Sequence, residues 1–184
     1  MKIDEALANY RTLVTKVDGL CRRIGEEFSG GIACREGCSG CCRHLTLSPV
    51  EAYAIAAALA ALPGPAAEEL RARGRRADPD GPCPLLVDDR CALYLQRPLI
   101  CRTHGLPLLS GEGDDVSIDF CPMNFPGVET FPGSAVINVE TLNTLLDAVN
   151  RLFMQQHLQE GLHGSRISIA EALLIDIDEP GGLK

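Results

Sequence analysis

Four cysteines fall within nine positions of one stretch: Cys34, Cys38, Cys41 and Cys42. Thiolates are good ligands for borderline and soft cations such as zinc and for iron–sulfur clusters. Gly37 and Gly40 lie between the cysteines and allow the backbone to turn tightly enough to aim several sulfurs at one centre. Four packed thiols in a core would be the plainer explanation, since free cysteine is a small, buried hydrophobe. The surrounding Arg, Glu, Gly and Ser do not make a core, so the stretch points to metal or redox chemistry. Farther along the chain Cys83, Cys91, Cys101 and Cys121 supply four more sulfurs. Eight thiolates suffice for two four-coordinate sites, or for one cluster with spare thiols.

The neighbours of these cysteines add further candidates. His44 and His104 are candidate nitrogen ligands, or donors to the ligands. Arg97 and Arg102 are suited either to offset thiolate charge or to serve as ordinary surface residues. Side chains diverge from adjacent α-carbons, so one ion is not expected to hold both Cys41 and Cys42 without a bridging arrangement. Cys121-Pro122 has the form of the Cys-Pro that closes ferredoxin-type runs, a weak signal as a dipeptide.

The elements that must carry these residues are mostly helical in pattern. The chain has 184 residues, enough for one domain with a sizeable core. Its hydrophobic share is 46% with no Trp and 4% aromatic residues, so its apolar content is mainly Ala, Leu, Ile and Val, which suits helices. Ile3, Leu7, Tyr10, Val14, Val17, Cys21, Ile24 and Phe28 form one helical stripe, widened by Leu13 and Leu20 and ended at Gly30-Gly31. Cys21 lies on that stripe and is assigned to the core rather than to the metal site. Ser48, Pro49 and Glu51 form a capping box that opens a helix through Leu62. Pro63-Gly64-Pro65 breaks it, and a second helix follows to Arg76. Its Arg71, Arg73, Arg75 and Arg76 are expected on a solvated face.

Asp78 to Pro84 is a loop by composition, and Asp88-Asp89 a turn between Cys83 and Cys91. Leu106–Leu109 and Val116–Phe120 are predicted to pair as a hairpin centred near Glu112, returning Cys121 toward Cys101 and His104. A Pro-rich loop continues to Pro132. Asn138 caps a helix with the stripe Val139, Leu142, Leu146, Val149 and Phe153 and a stop at Gly161. Ser168–Glu171 is a second capping box, opening a short helix through about Asp176, and the tail from Glu179 is expected to fray. The expected fold is mainly α: a single small domain, residues 1–184, of amphipathic helices (flanks 2–29 and 138–176) around irregular, metal-stapled cysteine loops, with one short β-hairpin.

Net charge narrows the partners. At −8 the chain is acidic, a poor match for nucleic acid, whose phosphates call for clustered Lys and Arg. The start has no apolar signal-peptide core, and the longest apolar stretch, Ala52–Leu62, falls short of the ~20 residues that span a bilayer. The expectation is a cytoplasmic protein with no membrane partner, in which nine cysteines serve as ligands or redox groups rather than disulfides.

The order of motifs resembles a known family. C-x3-C-x2-C-C at Cys34–Cys42, and then C-P, a turn, C-x-x-Y, R-P and C-R between Cys83 and Arg102, resemble the two blocks of the CxxCxxCC cysteine-cluster family, over roughly residues 30–122. The first spacing is x3 here and x2 in the family. The resemblance implies a domain that chelates zinc or iron. It also implies iron–sulfur relatives and a branch similar to flagellin lysine N-methylases. It makes Cys34, Cys38, Cys41, Cys42, Cys83, Cys91 and Cys101, with Cys121 as the eighth, the metal ligands.

The expected function is a metal-binding protein holding zinc, iron or an iron–sulfur centre, redox-active or serving an enzyme, with iron favoured. The alternative is a structural zinc module for protein interaction, its partner not specified by the sequence. A thiol–disulfide enzyme using Cys38-x-x-Cys41 would need a βαβ context that the pattern lacks. The spacing C-x3-C-x2-C also occurs in radical S-adenosylmethionine enzymes, where it follows the first strand of an α/β barrel; here a long helix precedes it.

Overall fold

The long apolar stripe at the start of the chain folds as predicted, with one interruption. In the computed structural model, which describes residues 3–111, 113–157 and 166–177, α1 spans Ile3–Ala6 and α2 spans Ala8–Glu27. Leu7 separates them, although its N–H still bonds to the Ile3 carbonyl (3.0 Å). Leu7, Tyr10, Leu13, Val17 and Ile24 are buried, which is the widened face read from the sequence. The remaining elements in chain order are β1 (Thr46–Leu47), α3 (Pro49–Ala60), α4 (Gly64–Arg75), β2 (Leu86–Val87), β3 (Arg90–Cys91), α5 (Leu99–Thr103), β4 (Leu108–Ser110), β5 (Ser117–Asp119), β6 (Ile137–Asn138), α6 (Val139–His157), β7 (Ile167–Ser168) and α7 (Ile169–Ala172). Helix dominates, as expected, and the strands are short.

The chain divides into two compact units: Met1–Tyr10, Glu36–Pro98 and Asp147–Lys184 form the first, and Arg11–Arg35 with Leu99–Leu146 the second. In the first unit α3 is buried nearly all round, through Val50, Ala52, Tyr53, Ile55, Ala56 and Leu59. Its capping box forms: Glu51, itself buried, accepts from the Ser48 N–H (3.3 Å) and hydroxyl (2.9 Å). The same device starts α7, where the Ser168 N–H donates to the Glu171 carboxylate (2.7 Å) and the Ser168 hydroxyl accepts from the Glu171 N–H (3.1 Å). The two boxes are joined, because β1 and β7 pair antiparallel directly before them, Thr46 opposite Ser168 and Leu47 opposite Ile167.

Helix α7 is shorter than predicted, ending at Ala172 rather than near Asp176. Leu173 and Ile175 are both buried, and a helix cannot turn positions two apart to one side, so the chain leaves the helix to bury both. Helix α6 starts as predicted, with the Asn138 side chain accepting from the Thr141 N–H (2.7 Å) and Phe153 buried; its predicted stop, Gly161, and the tail from Glu179 lie outside the described residues.

The second unit has a different core. The hairpin forms as β4 against β5, Leu109 opposite Ile118, and the chain adds an unpredicted third strand, β6, parallel to β4. The predicted centre of the turn, Glu112, lies outside the described residues. Beneath this sheet Ile24, Leu106, Phe125, Ala135 and Ile137 are buried. Phe28, Phe120, Phe125 and Phe131 pack around them with ring centroids 5.1–5.6 Å apart, mostly edge to face. Four of the chain's five phenylalanines are thus gathered here. Phe28 belongs to the predicted helical stripe and Phe120 to a predicted strand, whereas Phe125 and Phe131 lie on a loop, where no periodicity marks them.

Gly74 tests the packing of the first unit. A Cβ built there would lie 3.0 Å from the Ala170 carbonyl oxygen and 3.2 Å from Leu173 Cβ, so α4 meets α7 through a glycine. Alanine would gain about 1 kcal/mol in helix propensity, but the backbone it meets cannot move without disturbing α7. Gly74→Ala is therefore expected to lower stability, by roughly 1–3 kcal/mol for an overpacked contact, in a urea melt. An increase in stability would contradict the close approach.

Candidate metal centre

Two cysteine blocks separated by 40 residues meet through their backbones. The Cys83 N–H donates to the Cys42 carbonyl (3.1 Å) and the His44 N–H to the Gly81 carbonyl (3.3 Å), with Arg43 bridged antiparallel to Pro82. The loop before this contact turns at Gly37 (φ +92°) and closes with the Cys42 N–H on the Ser39 carbonyl (2.9 Å). Of the two glycines picked out in the sequence, only Gly37 takes a left-handed backbone. After the contact, β2 and β3 pair with Leu86 opposite Cys91. Their two-residue turn has Asp88 (φ +47°) and Asp89 (φ +59°) both left-handed, as a tight hairpin turn requires. The turn carries Cys91 back beside Cys83. The Ser39 hydroxyl donates to the Asp89 carboxylate (2.9 Å), tying the first cysteine loop to this turn.

The sulfurs so gathered influence one another. Burial pushes the Cys42 thiol pKa up; Cys91 and Cys38 add to this by like charge, while a side-chain hydrogen bond with Cys41 and the Arg97 guanidinium oppose it. Cys41 and Cys42, adjacent in sequence, thus interact through their side chains. Burial pushes Cys83 up to about 11, with the Leu85 N–H opposing and the thiolates of Cys91 and Cys42 adding to the rise. Burial likewise raises Cys91, against the Leu93 N–H and Arg97. In both Cys83 and Cys91 the backbone N–H two residues on donates to the sulfur. Such bonds orient a sulfur and favour its thiolate, so the donor set of the first unit fits a thiolate-bound cation. Cys38 and Cys41 are exposed, open to an incoming ion. Among the described residues no group of three or more His, Cys, Asp or Glu side chains stands in the geometry of a formed metal site.

Arginines sort into separate roles. Arg97 stacks on the Tyr94 ring (3.6 Å to the centroid) and donates to the Tyr94 carbonyl (2.9 Å), which holds its charge near Cys42 and Cys91. Arg102 instead pairs with Asp18 (2.8 Å). Arg73, expected on a solvated face, donates to the carbonyls of Pro84 (3.1 Å) and Leu86, and so braces the loop that carries Cys83. A long side chain reaching across to another loop leaves no periodic trace in a sequence.

The remaining cysteines belong to the second unit. Cys34 and Cys121 flank Gly105: a Cβ built on Gly105 would lie 2.9 Å from Cys34 Sγ and 3.3 Å from Cys121 Cβ. The hairpin returns Cys121 as predicted, with its N–H on the Gly105 carbonyl (3.4 Å). Cys101 sits in α5, and His104 is exposed just beyond it. Buried Asn124 accepts from the N–H groups of Ala33 (2.9 Å) and Cys34 (3.3 Å) and donates to Cys34 Sγ (3.3 Å). Asn124 went unnoticed in the sequence, where a lone Asn in a Pro-rich loop looks like any turn residue. Cys21 packs against the aromatic core and donates to the Arg102 carbonyl (3.7 Å).

His44 has both ring nitrogens engaged by backbone. Nδ1 lies 2.9 Å from the Asp78 carbonyl and must donate to it; Nε2 accepts the Ala170 N–H at 3.2 Å. This assigns the tautomer and makes His44 a brace between a loop and α7. His44→Ala is expected to lower stability by about 1 kcal/mol per lost bond and to leave metal content unchanged on elemental analysis; a loss of metal would make it a ligand instead. A second expected outcome concerns Cys83 in the reduced, metal-free protein. With its pKa about 11, its alkylation at pH 8 should run roughly 100-fold slower than that of an ordinary cysteine, since thiolate fraction sets the rate. A mass-spectrometric time course measures this, and labelling of Cys83 at an ordinary rate would contradict its burial.

Residues 33–122 match the model of the CxxCxxCC family, described as "putative zinc- or iron-chelating domain". The matched segment includes all eight candidate ligands and leaves out Cys21. No curated protein and no solved structure matches the chain.

Proposed function

We propose, for a chain whose residues 33–122 belong to the CxxCxxCC family, that it is a metal-binding cysteine-cluster protein whose thiolates hold iron, alone or as an iron–sulfur centre, in redox work or in the service of an enzyme. The candidate ligands remain Cys34, Cys38, Cys41, Cys42, Cys83, Cys91, Cys101 and Cys121. The observation that carries the reading is the backbone contact between Cys42 and Cys83, which sets Cys42 beside Cys91 and Cys83 with Cys38 and Cys41 close by.

Burial is the main cause that raises the Cys42 and Cys83 thiols, and the like charge of the neighbouring thiolates adds to it. A cation among them reverses that balance and keeps the sulfurs ionised. The N–H donors of Leu85 and Leu93 and the charge of Arg97 are already placed to favour that ionised form. When bound, iron would supply electron transfer or Lewis acidity; zinc would supply structure alone. The reading includes a reducing, cytoplasmic setting, in which all nine cysteines stay free thiols. No helix among the described residues is long and apolar enough to cross a membrane.

Anaerobic purification followed by an absorption spectrum and by iron, zinc and acid-labile sulfide analysis tests the reading. A brown protein with iron and sulfide is expected. Colourless protein with stoichiometric zinc would instead favour a structural module for protein interaction. Cys42→Ser should lose metal and stability together, since binding free energy at such a site is also folding free energy. Cys21→Ala should keep full metal content and lose about 1 kcal/mol of packing.

A further inference from the structure

We propose that the second unit carries a thiolate site of its own, in which Cys34 and Cys121 take a soft divalent cation and Asn124 is the positioning residue. This rests on the metal-binding reading above and goes beyond it, by dividing the cysteines into two sets that load separately.

The floor of the site is Gly105. It has φ +88°, a conformation that L side chains rarely adopt, and a Cβ there would lie 2.9 Å from Cys34 Sγ, 3.1 Å from Asn124 Nδ2 and 3.3 Å from Cys121 Cβ. Both constraints demand glycine, because the Cys34 sulfur, the Asn124 amide and the Cys121 Cβ crowd that one point of the backbone. Asn124 makes the rest of the cradle. It is 2% exposed, and its amide is fully used. Oδ1 accepts two backbone N–H groups, Ala33 and Cys34, which fixes it as the oxygen. Nδ2 therefore faces the Gly105 carbonyl (2.6 Å) and Cys34 Sγ (3.3 Å) as a donor. A buried amide N–H aimed at a sulfur favours the sulfur as an acceptor, the form it takes as a metal-bound thiolate.

The turn that presents Asn124 is held against its own preference. The Asn124 N–H bonds to the Cys121 carbonyl (2.8 Å), and the next residue, Phe125, takes φ +56°, an uncommon conformation for a bulky side chain. Its ring is clamped by Phe28, Phe120 and Phe131. The aromatic core thus locks the turn whose amide side chain touches Cys34. Cys101, four residues before Gly105, supplies a further thiol in the same unit.

The test is anaerobic titration of the reduced, metal-free full chain with cobalt(II), read by the sulfur-to-cobalt charge-transfer band and by native mass spectrometry. The wild-type chain should take two equivalents. Cys34→Ser and Cys121→Ser should each take one, as should Cys42→Ser. Asn124→Asp, which keeps the shape but loses the donor to Cys34, should weaken one equivalent about 10- to 100-fold and leave the other untouched; a merely structural loss would weaken both. Saturation at one equivalent that Cys42→Ser abolishes and Cys34→Ser spares would overturn the second site and leave the first-unit reading standing. One equivalent lost in Cys34→Ser but kept in Cys42→Ser would support the second site and overturn that reading. Complete loss in both variants would mean a single shared centre and would also overturn the proposal.

Discussion

A single antiparallel backbone contact, the Cys83 N–H on the Cys42 carbonyl with Arg43 bridged to Pro82 beside it, decides what the first unit can do. Without it the loop of Cys38, Cys41 and Cys42 and the hairpin of Cys83 and Cys91 would be two exposed ribbons. With it, five thiols share one neighbourhood. The surrounding structure serves that contact from both sides. Arg73 braces the loop that carries Cys83, His44 ties the segment after Cys42 to α7 and the Asp78 loop, and Ser39 holds the hairpin turn through Asp89.

Holding thiols together has an electrostatic cost, and the structure shows how it is moderated. Burial and like charge both push Cys42 and Cys83 toward the neutral form. Arg97, fixed over Tyr94, pulls the other way at Cys42 and Cys91, and backbone N–H groups do so at Cys83 and Cys91. At Cys42, Cys83 and Cys91 burial prevails over these opposing groups and favours the neutral thiol.

The second unit solves a different problem with different means. Cys34 is held not by a paired strand but by the buried side chain of Asn124, and the turn that presents Asn124 is packed by a cluster of phenylalanines rather than built on a helix. An α-rich chain with few aromatic residues has concentrated nearly all its phenylalanine in one place, where rings can grip a loop that has no regular hydrogen-bond ladder of its own.

By itself the sequence determined the local features. The stripe of α2, the capping boxes at Ser48 and Ser168, the helix stop by Gly30-Gly31, the Asp88-Asp89 turn and the hairpin before Cys121 all rest on interactions between residues close along the chain, which is why spacing reveals them. The segment that matches the family model, residues 33–122, was legible for the same reason. Tertiary structure alone decided which cysteines are neighbours. Cys42 meets Cys83 through backbone atoms, Arg73 reaches across thirteen residues to Leu86, His44 finds Ala170, and Asn124 finds Cys34. Backbone groups look alike in every residue, and a long-range side-chain bond imposes no period, so neither leaves a trace in the order of the amino acids.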